Sequence, residues 1–294
     1  MARPGTVTGR GGKVIGLPQV LVYAVVIAVA AYALVVVGMY VGQRVLMYPT
    51  RGMAGDPAAA GLFDAQEIQV ETKDGLRLLS WYQPPTSGQP VIVYFHGNAG
   101  TVAGRAYKAA IFAKKGWGFL LVEYRGYGGN PGKPSETGLY EDARSNLAWL
   151  RGQGVRPEDM VIYGESLGTG VATHAARELA RAGTPARGLI LEAPFTSMVD
   201  VAAVIYPWLP VRRLIHDQYD SIGKIKEIAA PLLVVHGTAD RTVPFDHGQR
   251  LFEAAQQPKT GAWLTGAGHV NVFDFGAADA IEEFVSSLGD KAEK

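Results

Sequence analysis

Residues 161–170 read VIYGESLGTG, and this stretch decides the fold. Its first three residues are apolar, a Gly-x-Ser-x-Gly pattern follows, and an Ala-rich helical pattern runs over Leu167–Arg181. A sharp turn from a strand into a helix strains its serine, and the hydrogen side chains at Gly164 and Gly168 avoid a collision there. The pattern alone occurs by chance in loops, but the flanking strand-like and helical runs indicate a nucleophile at Ser166.

Strand-like and helical patterns alternate along the chain on both sides of that turn. The strand-like runs are Ile68–Thr72, Leu76–Tyr82, Val91–Phe95, Phe119–Tyr124, Val161–Tyr163, Leu189–Leu191 and Leu232–Val235. The helical runs are Arg105–Lys115, Tyr140–Arg151, Leu167–Arg181, His247–Ala255 and Asp279–Leu288. The last five strand-like runs are continuous and apolar, as in strands buried on both faces of a parallel sheet. The alternation predicts an α/β fold with a mostly parallel sheet and helices on both faces.

Two polar residues that could activate Ser166 lie after predicted strands or near the C-terminus. Ligands of an open parallel sheet bind at the carboxyl ends of its strands. A serine hydroxyl is a poor nucleophile until a base accepts its proton, and His269 is the candidate base. Asp240, just after the seventh strand-like run, could hold the imidazole in the required tautomer. The sequence therefore predicts a Ser–Asp–His triad in the chain order nucleophile, acid, base.

Other acids and histidines fit these roles less well. Asp246 and Glu192 are alternatives for the acid, but Pro194 near Glu192 indicates a structural turn. The remaining histidines are His96 and His236 at strand ends, where they could shape turns, His174 inside a helix, and His216 and His247 beside surface helices. None has the close spacing of a His-Glu-x-x-His zinc site, so the sequence predicts no metal.

Backbone N–H groups could stabilise the negative charge that develops on a substrate oxygen, because they are fixed and uncharged. Leu167, directly after Ser166, should supply one such donor. The second is expected from Asn98 in the loop after the third strand, where Gly97 and Gly100 let the backbone approach a substrate closely. A plain glycine turn is the alternative for that loop.

An uncharged stretch near the N-terminus predicts a membrane anchor. Residues 14–43 carry no charge, and the run Val20–Val41 is almost wholly apolar. At about 1.5 Å per residue this run would span roughly 33 Å as a helix, enough to cross a bilayer core. A cleaved signal peptide is the alternative, because Ala31-Tyr32-Ala33 resembles a cleavage site, but the apolar run continues beyond it.

Basic residues on the two sides of this stretch predict its orientation. Three precede it and two follow it: Arg3, Arg10, Lys13, Arg44 and Arg51. The excess before the stretch favours a cytoplasmic N-terminus. We expect a cytoplasmic segment over residues 1–13, a transmembrane anchor over 14–43, a connector over 44–65 and a catalytic domain over 66–294. The domain is then expected on the periplasmic or lumenal side of the membrane.

Several further motifs carry a resemblance to a known family. They are Tyr48-Pro49, His96-Gly97-Asn98-Ala99-Gly100, Tyr124-Arg125-Gly126-Tyr127-Gly128, Pro134-Ser135-Glu136 and Glu165 beside the nucleophile. With the triad they resemble the α/β-hydrolase superfamily from about Arg44 to the C-terminus. More narrowly, the chain is similar to the membrane-anchored branch related to the yeast Bem protein, which includes animal depalmitoylases and lysophospholipid hydrolases.

The resemblance implies an eight-stranded α/β-hydrolase fold and serine-hydrolase chemistry without a cofactor. Carboxylic esters or thioesters of acyl or lipid-like substrates would be cleaved near a membrane through an acyl-enzyme at Ser166. The branch is also linked to serine aminopeptidase-like proteins, so a peptidase is an alternative. Asp200, Asp217 and Asp220 are too dispersed to indicate an obvious subsite for a substrate amine. A catalytically silent membrane scaffold is a second alternative, which the complete triad disfavours.

The residues between the sixth and seventh strands, 194–230, predict a small cap. They are rich in apolar side chains, and the candidates for an acyl pocket are Phe195, Met198, Tyr206 and Trp208. The alternative is that this segment simply packs a helix on the sheet.

Composition excludes several other classes of function. Lys and Arg number 28 against 27 Asp and Glu, and the net charge of +1 does not attract nucleic acid. The chain has no cysteine, which excludes disulfides, thiolate metal sites and a cysteine nucleophile. Depalmitoylating members of the similar branch are typically anchored through acylated N-terminal cysteines. Protein depalmitoylation is therefore not the first choice for this chain.

Overall fold

The computed structural model describes residues 17–289 of the chain. The chain forms two compact units, with the boundary between Gln43 and Arg44. The expected cytoplasmic segment, residues 1–13, lies outside the described residues together with its basic side chains. The orientation of the anchor therefore stays a prediction.

The first unit contains most of a long apolar helix, α1 (Leu17–Met47). By length and composition this helix could cross a membrane. It ends at Met47 rather than at the expected Gln43, and residues 14–16 of the expected anchor lie outside the described residues. The helix continues past Gln43 because residues 44–48 contain no glycine or proline, and it ends before Pro49, which disfavours a helical conformation of the residue before it.

The second unit begins with the segment expected to be a connector, residues 44–65. Four of its residues, Tyr48, Ala54, Pro57 and Leu62, are buried. The Ala54 N–H donates a hydrogen bond to the Gly128 carbonyl oxygen at 3.0 Å. The structure therefore includes much of this segment in the folded domain, whereas the sequence indicates a domain that starts at residue 66.

Within residues 44–289, eight strands form one sheet. They are β1 (Gln66–Glu71), β2 (Arg77–Gln83), β3 (Val91–Phe95), β4 (Gly118–Val122), β5 (Met160–Glu165), β6 (Gly188–Glu192), β7 (Leu232–Gly237) and β8 (Lys259–Leu264). Their order is β1-β2-β4-β3-β5-β6-β7-β8; β2 pairs antiparallel with β1 and β4, and all other pairs are parallel. The predicted mostly parallel, eight-stranded sheet is confirmed. The strand-like runs did not include β8, because this edge strand is only partly buried and its sequence KTGAWL has no continuous apolar run.

All five helical runs form helices, and two shorter helices lie in the cap segment. The five are α2 (Ala106–Lys114), α3 (Glu136–Gly152), α4 (Leu167–Arg181), α7 (Phe245–Ala254) and α8 (Ala277–Ser287), and the cap helices are α5 (Met198–Ile205) and α6 (Val211–Leu214). The bounds of α4 are as predicted. Helix α3 begins before the predicted Tyr140, because the Ser135 side chain caps it by accepting the Gly138 N–H at 3.1 Å.

Different helices cover the two faces of the sheet. Alternate residues of β5 point to opposite faces, so Ile162 packs in one core cluster and Tyr163 in the other. Helices α3, α4 and α7 contribute to the first cluster, whereas α2 and α8 contribute to the second. Helices on both faces are thus confirmed. The carboxyl ends of the parallel strands β3, β5 and β7 open at one edge, and the candidate site lies in the loops there.

Candidate active site

Ser166 occupies the turn between β5 and α4 in a strained backbone conformation. Its φ is +50° and its ψ is −116°, a region that residues with a side chain rarely adopt. The Ser166 N–H donates to the Glu192 carbonyl oxygen at 2.9 Å, which ties the turn to the neighbouring strand β6. The turn therefore holds the Ser166 side chain at the carboxyl edge of the sheet.

The two glycines of the turn occupy positions with no space for a side chain. A Cβ atom on Gly164 would lie 2.5 Å from the Gly168 carbonyl oxygen and 2.6 Å from the Thr169 Cα. A Cβ atom on Gly168 would overlap the carbonyl oxygen of Phe95, the last residue of β3. These are backbone atoms that cannot move aside. Any larger residue at either position would therefore displace Ser166.

The structure brings Ser166, Asp240 and His269 together. His269 Nε2 lies 2.9 Å from Ser166 Oγ, and His269 Nδ1 lies 2.7 Å from Asp240 Oδ2. A carboxylate only accepts hydrogen bonds, so Nδ1 carries the hydrogen and Nε2 is left to accept from the Ser166 hydroxyl. This is the protonation state in which an imidazole can take up a proton from serine.

Asp240 is buried and held ionised by its surroundings. Its Oδ1 accepts the backbone N–H groups of Thr242 at 2.8 Å and Val243 at 2.9 Å. Burial alone would raise the pKa of Asp240, but hydrogen bonds from His236, His269 and the Val243 N–H outweigh burial and hold this pKa well below its usual range. The carboxylate is therefore negatively charged at neutral pH and can stabilise an imidazolium.

The two alternative acids have other partners. Glu192 lies in a buried cluster of charges, where Lys108 Nζ is 2.7 Å from its Oε2. The side chain of Asp246 is 61% exposed in the first turn of α7. Among the described residues, the carboxylate that hydrogen-bonds to His269 is that of Asp240.

The two predicted oxyanion donors belong to segments that lie beside Ser166. Leu167 is the first residue of α4, so its N–H has no acceptor four residues earlier within the helix. A Cβ atom on Gly97 would lie 3.4 Å from the Ser166 Cβ, which shows that the loop after β3 runs against the nucleophile. Asn98 is the next residue, and its carbonyl oxygen accepts a hydrogen bond from the Tyr127 hydroxyl at 3.1 Å.

Two buried histidines support these loops, although the sequence indicates only turns for them. His96 Nε2 lies 2.9 Å from Glu123 Oε1, and its Nδ1 lies 2.7 Å from the Gly97 carbonyl oxygen. His236 Nε2 lies 3.0 Å from the Val243 carbonyl oxygen and 3.3 Å from Asp240 Oδ2. In the sequence, each histidine is recognisable as a polar residue at the end of an apolar strand-like run. This position does not reveal its hydrogen-bond partners.

A buried cluster of four charged groups lies behind the nucleophile, and sequence reasoning missed it. Lys108 Nζ lies 2.8 Å from Glu165 Oε2 and 2.7 Å from Glu192 Oε2, and Arg105 Nη2 lies 2.6 Å from Glu165 Oε1. Tyr94 and Tyr163 donate hydrogen bonds to Glu165 and Glu192 respectively. Burial acts to lower the pKa of Lys108, but both carboxylates outweigh burial and raise it.

The charges of this cluster balance, with two cations and two anions. Lys108 is only 2% exposed. The loss of one partner from a buried ion pair typically costs about 3–5 kcal/mol of folding stability, because it leaves an uncompensated charge. The removal of any one member alone should therefore destabilise the fold around the turn that holds Ser166.

The predicted acyl-pocket residues differ in burial along the cap segment, and their role in substrate binding stays a prediction. Phe195 follows the buried strand β6 and packs in the core, whereas Trp208 lies between two prolines in the turn after α5 and is 52% exposed. Met198 is partly buried at the start of α5, and the Tyr206 ring lies 6.5 Å from the Trp208 ring. A cap cavity of about 250 Å³ is lined by other residues: Ala203, Pro207, Leu209, Pro210, Val211, Arg212 and Arg213.

Comparisons with known proteins agree with this architecture. The Hydrolase_4 family model, described as serine aminopeptidase, S33, matches residues 86–217, a range that includes Asn98 and Ser166. An uncharacterized protein of Mycobacterium tuberculosis is 44% identical over 231 residues, which cover 77% of this chain and 80% of that protein.

Two further proteins are similar over much of the chain. The lysophosphatidylserine lipase ABHD12 of Danio rerio is 35% identical over 208 residues, which cover 65% of this chain and 53% of that protein. This chain thus spans about half the length of that lipase. The solved structure of the Pyrococcus furiosus esterase Pf2001 matches with a TM-score of 0.65 at 17% identity and covers 81% of this chain and 96% of that one. At that identity the likeness shows the fold alone.

Proposed function

The chain belongs to the serine aminopeptidase S33 family of α/β hydrolases. We propose that it hydrolyses carboxylic esters or thioesters of acyl, lipid-like substrates through an acyl-enzyme at Ser166. The observation that carries this proposal is the hydrogen-bonded series Ser166–His269–Asp240, with distances of 2.9 and 2.7 Å. The relative named as a lysophosphatidylserine lipase supports ester hydrolysis.

In the proposed mechanism, His269 Nε2 removes the proton of Ser166 as Oγ attacks the substrate carbonyl carbon. Asp240 stabilises the resulting imidazolium. The N–H groups of Leu167 and Asn98 donate to the oxygen that becomes negatively charged. His269 then protonates the leaving alcohol or thiol, and a water molecule that is activated by the same imidazole hydrolyses the acyl-enzyme.

The serine aminopeptidase alternative comes from the description of the family model and needs an anionic subsite for the substrate amine. Two of the candidate carboxylates already have arginine partners. Asp217 pairs with Arg44 at 2.8 Å, and Asp200 pairs with Arg212 at 3.0 Å. A carboxylate that is neutralised in this way attracts an ammonium group weakly. The structure therefore favours an ester or thioester over an aminoacyl substrate.

This preference is tested with purified full-length protein in detergent. We expect turnover of acyl p-nitrophenyl esters, acyl-CoA thioesters and 1-acyl lysophospholipids. The kcat/KM for the best of these should exceed that for aminoacyl p-nitroanilides by on the order of 100-fold, because Asp200 and Asp217 are already paired with arginines and attract an amine weakly. The same assays on Ser166→Ala correct for background hydrolysis. A higher kcat/KM for the anilides would instead identify a peptidase.

We also propose that α1 anchors the protein in a membrane with the catalytic domain on the periplasmic or lumenal side. The basic residues before the apolar segment outnumber those after it, which favours a cytoplasmic N-terminus. In a bacterial host, the protein should stay in the membrane pellet after carbonate extraction. A C-terminal alkaline phosphatase fusion should be active and a C-terminal green fluorescent protein fusion dark. The opposite pair of signals would reverse the orientation.

A further inference from the structure

The Arg105 side chain connects the two segments that carry the proposed oxyanion donors. It lies at the end of a short 3₁₀ turn, Val102–Arg105, just before α2. Arg105 Nη1 donates to the Ala99 carbonyl oxygen at 2.8 Å, and Nη2 donates to Glu165 Oε1 at 2.6 Å. Ala99 directly follows Asn98, and Glu165 directly precedes Ser166. One guanidinium therefore joins the loop after β3 to the nucleophile turn.

We propose that Arg105 is a positioning residue that sets the distance between the N–H groups of Asn98 and Leu167 in the oxyanion hole. This inference rests on the proposed serine-hydrolase function. Among residues 17–289, Arg105 is the residue whose side chain hydrogen-bonds both to the loop 97–101 and to the nucleophile turn 164–168.

One end of this connection is rigid. Glu165 also accepts hydrogen bonds from Lys108, at 2.8 Å, and from Tyr94. Lys108 is in turn held by Glu192. The Glu165 carboxylate, to which Arg105 donates, is thus held in place by the buried charge cluster. Its position in turn determines that of the Arg105 guanidinium.

The other end is a loop that needs restraint. Residues 97–101 form no helix or strand, and Gly100 has a φ of +79°. A Cβ atom on Gly100 would lie 2.6 Å from Arg105 Nη1, so the glycine gives the guanidinium access to the loop. Asn98 makes two other hydrogen bonds. Its carbonyl oxygen accepts from the Tyr127 hydroxyl at 3.1 Å, and its side-chain amide donates to the Met47 carbonyl oxygen at 3.3 Å. Neither of these contacts joins the loop to the nucleophile turn.

Arginine suits this task better than lysine. Its planar guanidinium can donate to two acceptors in fixed directions at the same time, whereas an ammonium group acts as a point charge. The hydrogen bonds of an oxyanion hole matter most in the transition state, when the charge on the substrate oxygen develops. A loosened hole should therefore lower kcat more than it raises KM.

The experiment compares Arg105→Gln and Arg105→Lys with the wild type in full-length protein. Lys115→Gln is the matched control, because Lys115 lies at the other end of α2 and makes an exposed ion pair with Glu282. Steady-state kinetics with a soluble short-chain ester give kcat and KM. The Ki of a trifluoromethyl ketone, which forms a tetrahedral adduct with serine, reports binding of the transition-state geometry.

For Arg105→Gln we expect kcat to fall by on the order of 10- to 100-fold, somewhat less than for the complete loss of one oxyanion donor. KM should change by less than about 3-fold, and the Ki of the ketone should rise by the same factor by which kcat/KM falls. Arg105→Lys should lie between the wild type and Arg105→Gln. Lys115→Gln should match the wild type in all three constants.

An unchanged kcat in a folded Arg105 variant overturns the inference. So does a lower kcat without a weaker Ki, because a purely structural role would not track the tetrahedral adduct. If Arg105→Gln fails to fold, as judged by circular dichroism, Arg105→Lys decides by the same two criteria. If wild type and Lys115→Gln lack activity that depends on Ser166, the proposed function itself has failed, and this inference falls with it.

Discussion

The Ser166→Ala variant is expected to lose on the order of 10⁴- to 10⁶-fold in kcat, while the KM for a soluble ester stays close to the wild-type value. Without Oγ no acyl-enzyme can form. In the wild type this oxygen lies 2.9 Å from His269 Nε2, close enough for the imidazole to accept its proton. Alanine keeps the same backbone strain as serine at a φ of +50°, so the turn should persist. Stopped ester assays measure kcat and KM, and a fluorophosphonate probe reports whether the nucleophile is still present.

The matched control for this variant is Ser287→Ala. Ser287 is an exposed residue at the end of α8, where its hydroxyl donates to the Phe284 carbonyl oxygen at 2.7 Å. Its activity should stay within about 2-fold of the wild type, as for most substitutions near the surface. The probe should label the wild type and Ser287→Ala but not Ser166→Ala. Equal labelling of Ser166→Ala would show that another residue is the nucleophile.

Much of the fold could be predicted because local patterns determine it. The bounds of β3 (Val91–Phe95) follow from five consecutive buried apolar residues, and those of α4 follow from the glycine turn before it. Strand β8 was not predicted, because an edge strand needs only one buried face. Its sequence KTGAWL has neither a continuous apolar run nor a clear alternation of apolar and polar residues. The last residues of α1 were not predicted, because the apolar stretch ends at the charged residue Arg44 whereas the helix continues to Met47.

The arrangement of the candidate site could be predicted only in outline. Ser166 and His269 are 103 residues apart, and the chain order with the shared edge of parallel strands makes them neighbours. The hydrogen-bond distances depend on loop conformations that no local pattern encodes. The support for Asp240 from the N–H groups of Thr242 and Val243 is such a case, because any residue type supplies a backbone donor.

The buried charge cluster could not be predicted at all. Lys108 contacts Glu165 and Glu192, which lie 57 and 84 residues away. A lysine in a helical run is normally expected at the surface, because lysine is almost never fully buried unless it is paired. The pairing partners appear only when β5 and β6 are side by side. Arg105 was missed for the same reason, although its hydrogen-bond partners Ala99 and Glu165 both lie in the quoted motifs.

The His269→Ala variant is expected to lose about as much kcat as Ser166→Ala, on the order of 10⁴- to 10⁶-fold, because the hydroxyl then has no base. Asp240→Asn should lose on the order of 10⁴-fold, since an amide would favour the wrong tautomer of His269. The two hydrogen bonds of 2.9 and 2.7 Å join these groups into one unit. Their effects should therefore not add.

The double variant Ser166→Ala/His269→Ala tests this directly. Its residual kcat should equal that of either single variant within about 10-fold, because the oxyanion donors and substrate binding that remain are the same in all three. Rates are measured with the soluble ester at saturating concentration, with circular dichroism as the control for folding. If the losses multiply, Ser166 and His269 act independently, and the proton transfer between them is not the step that the geometry supports.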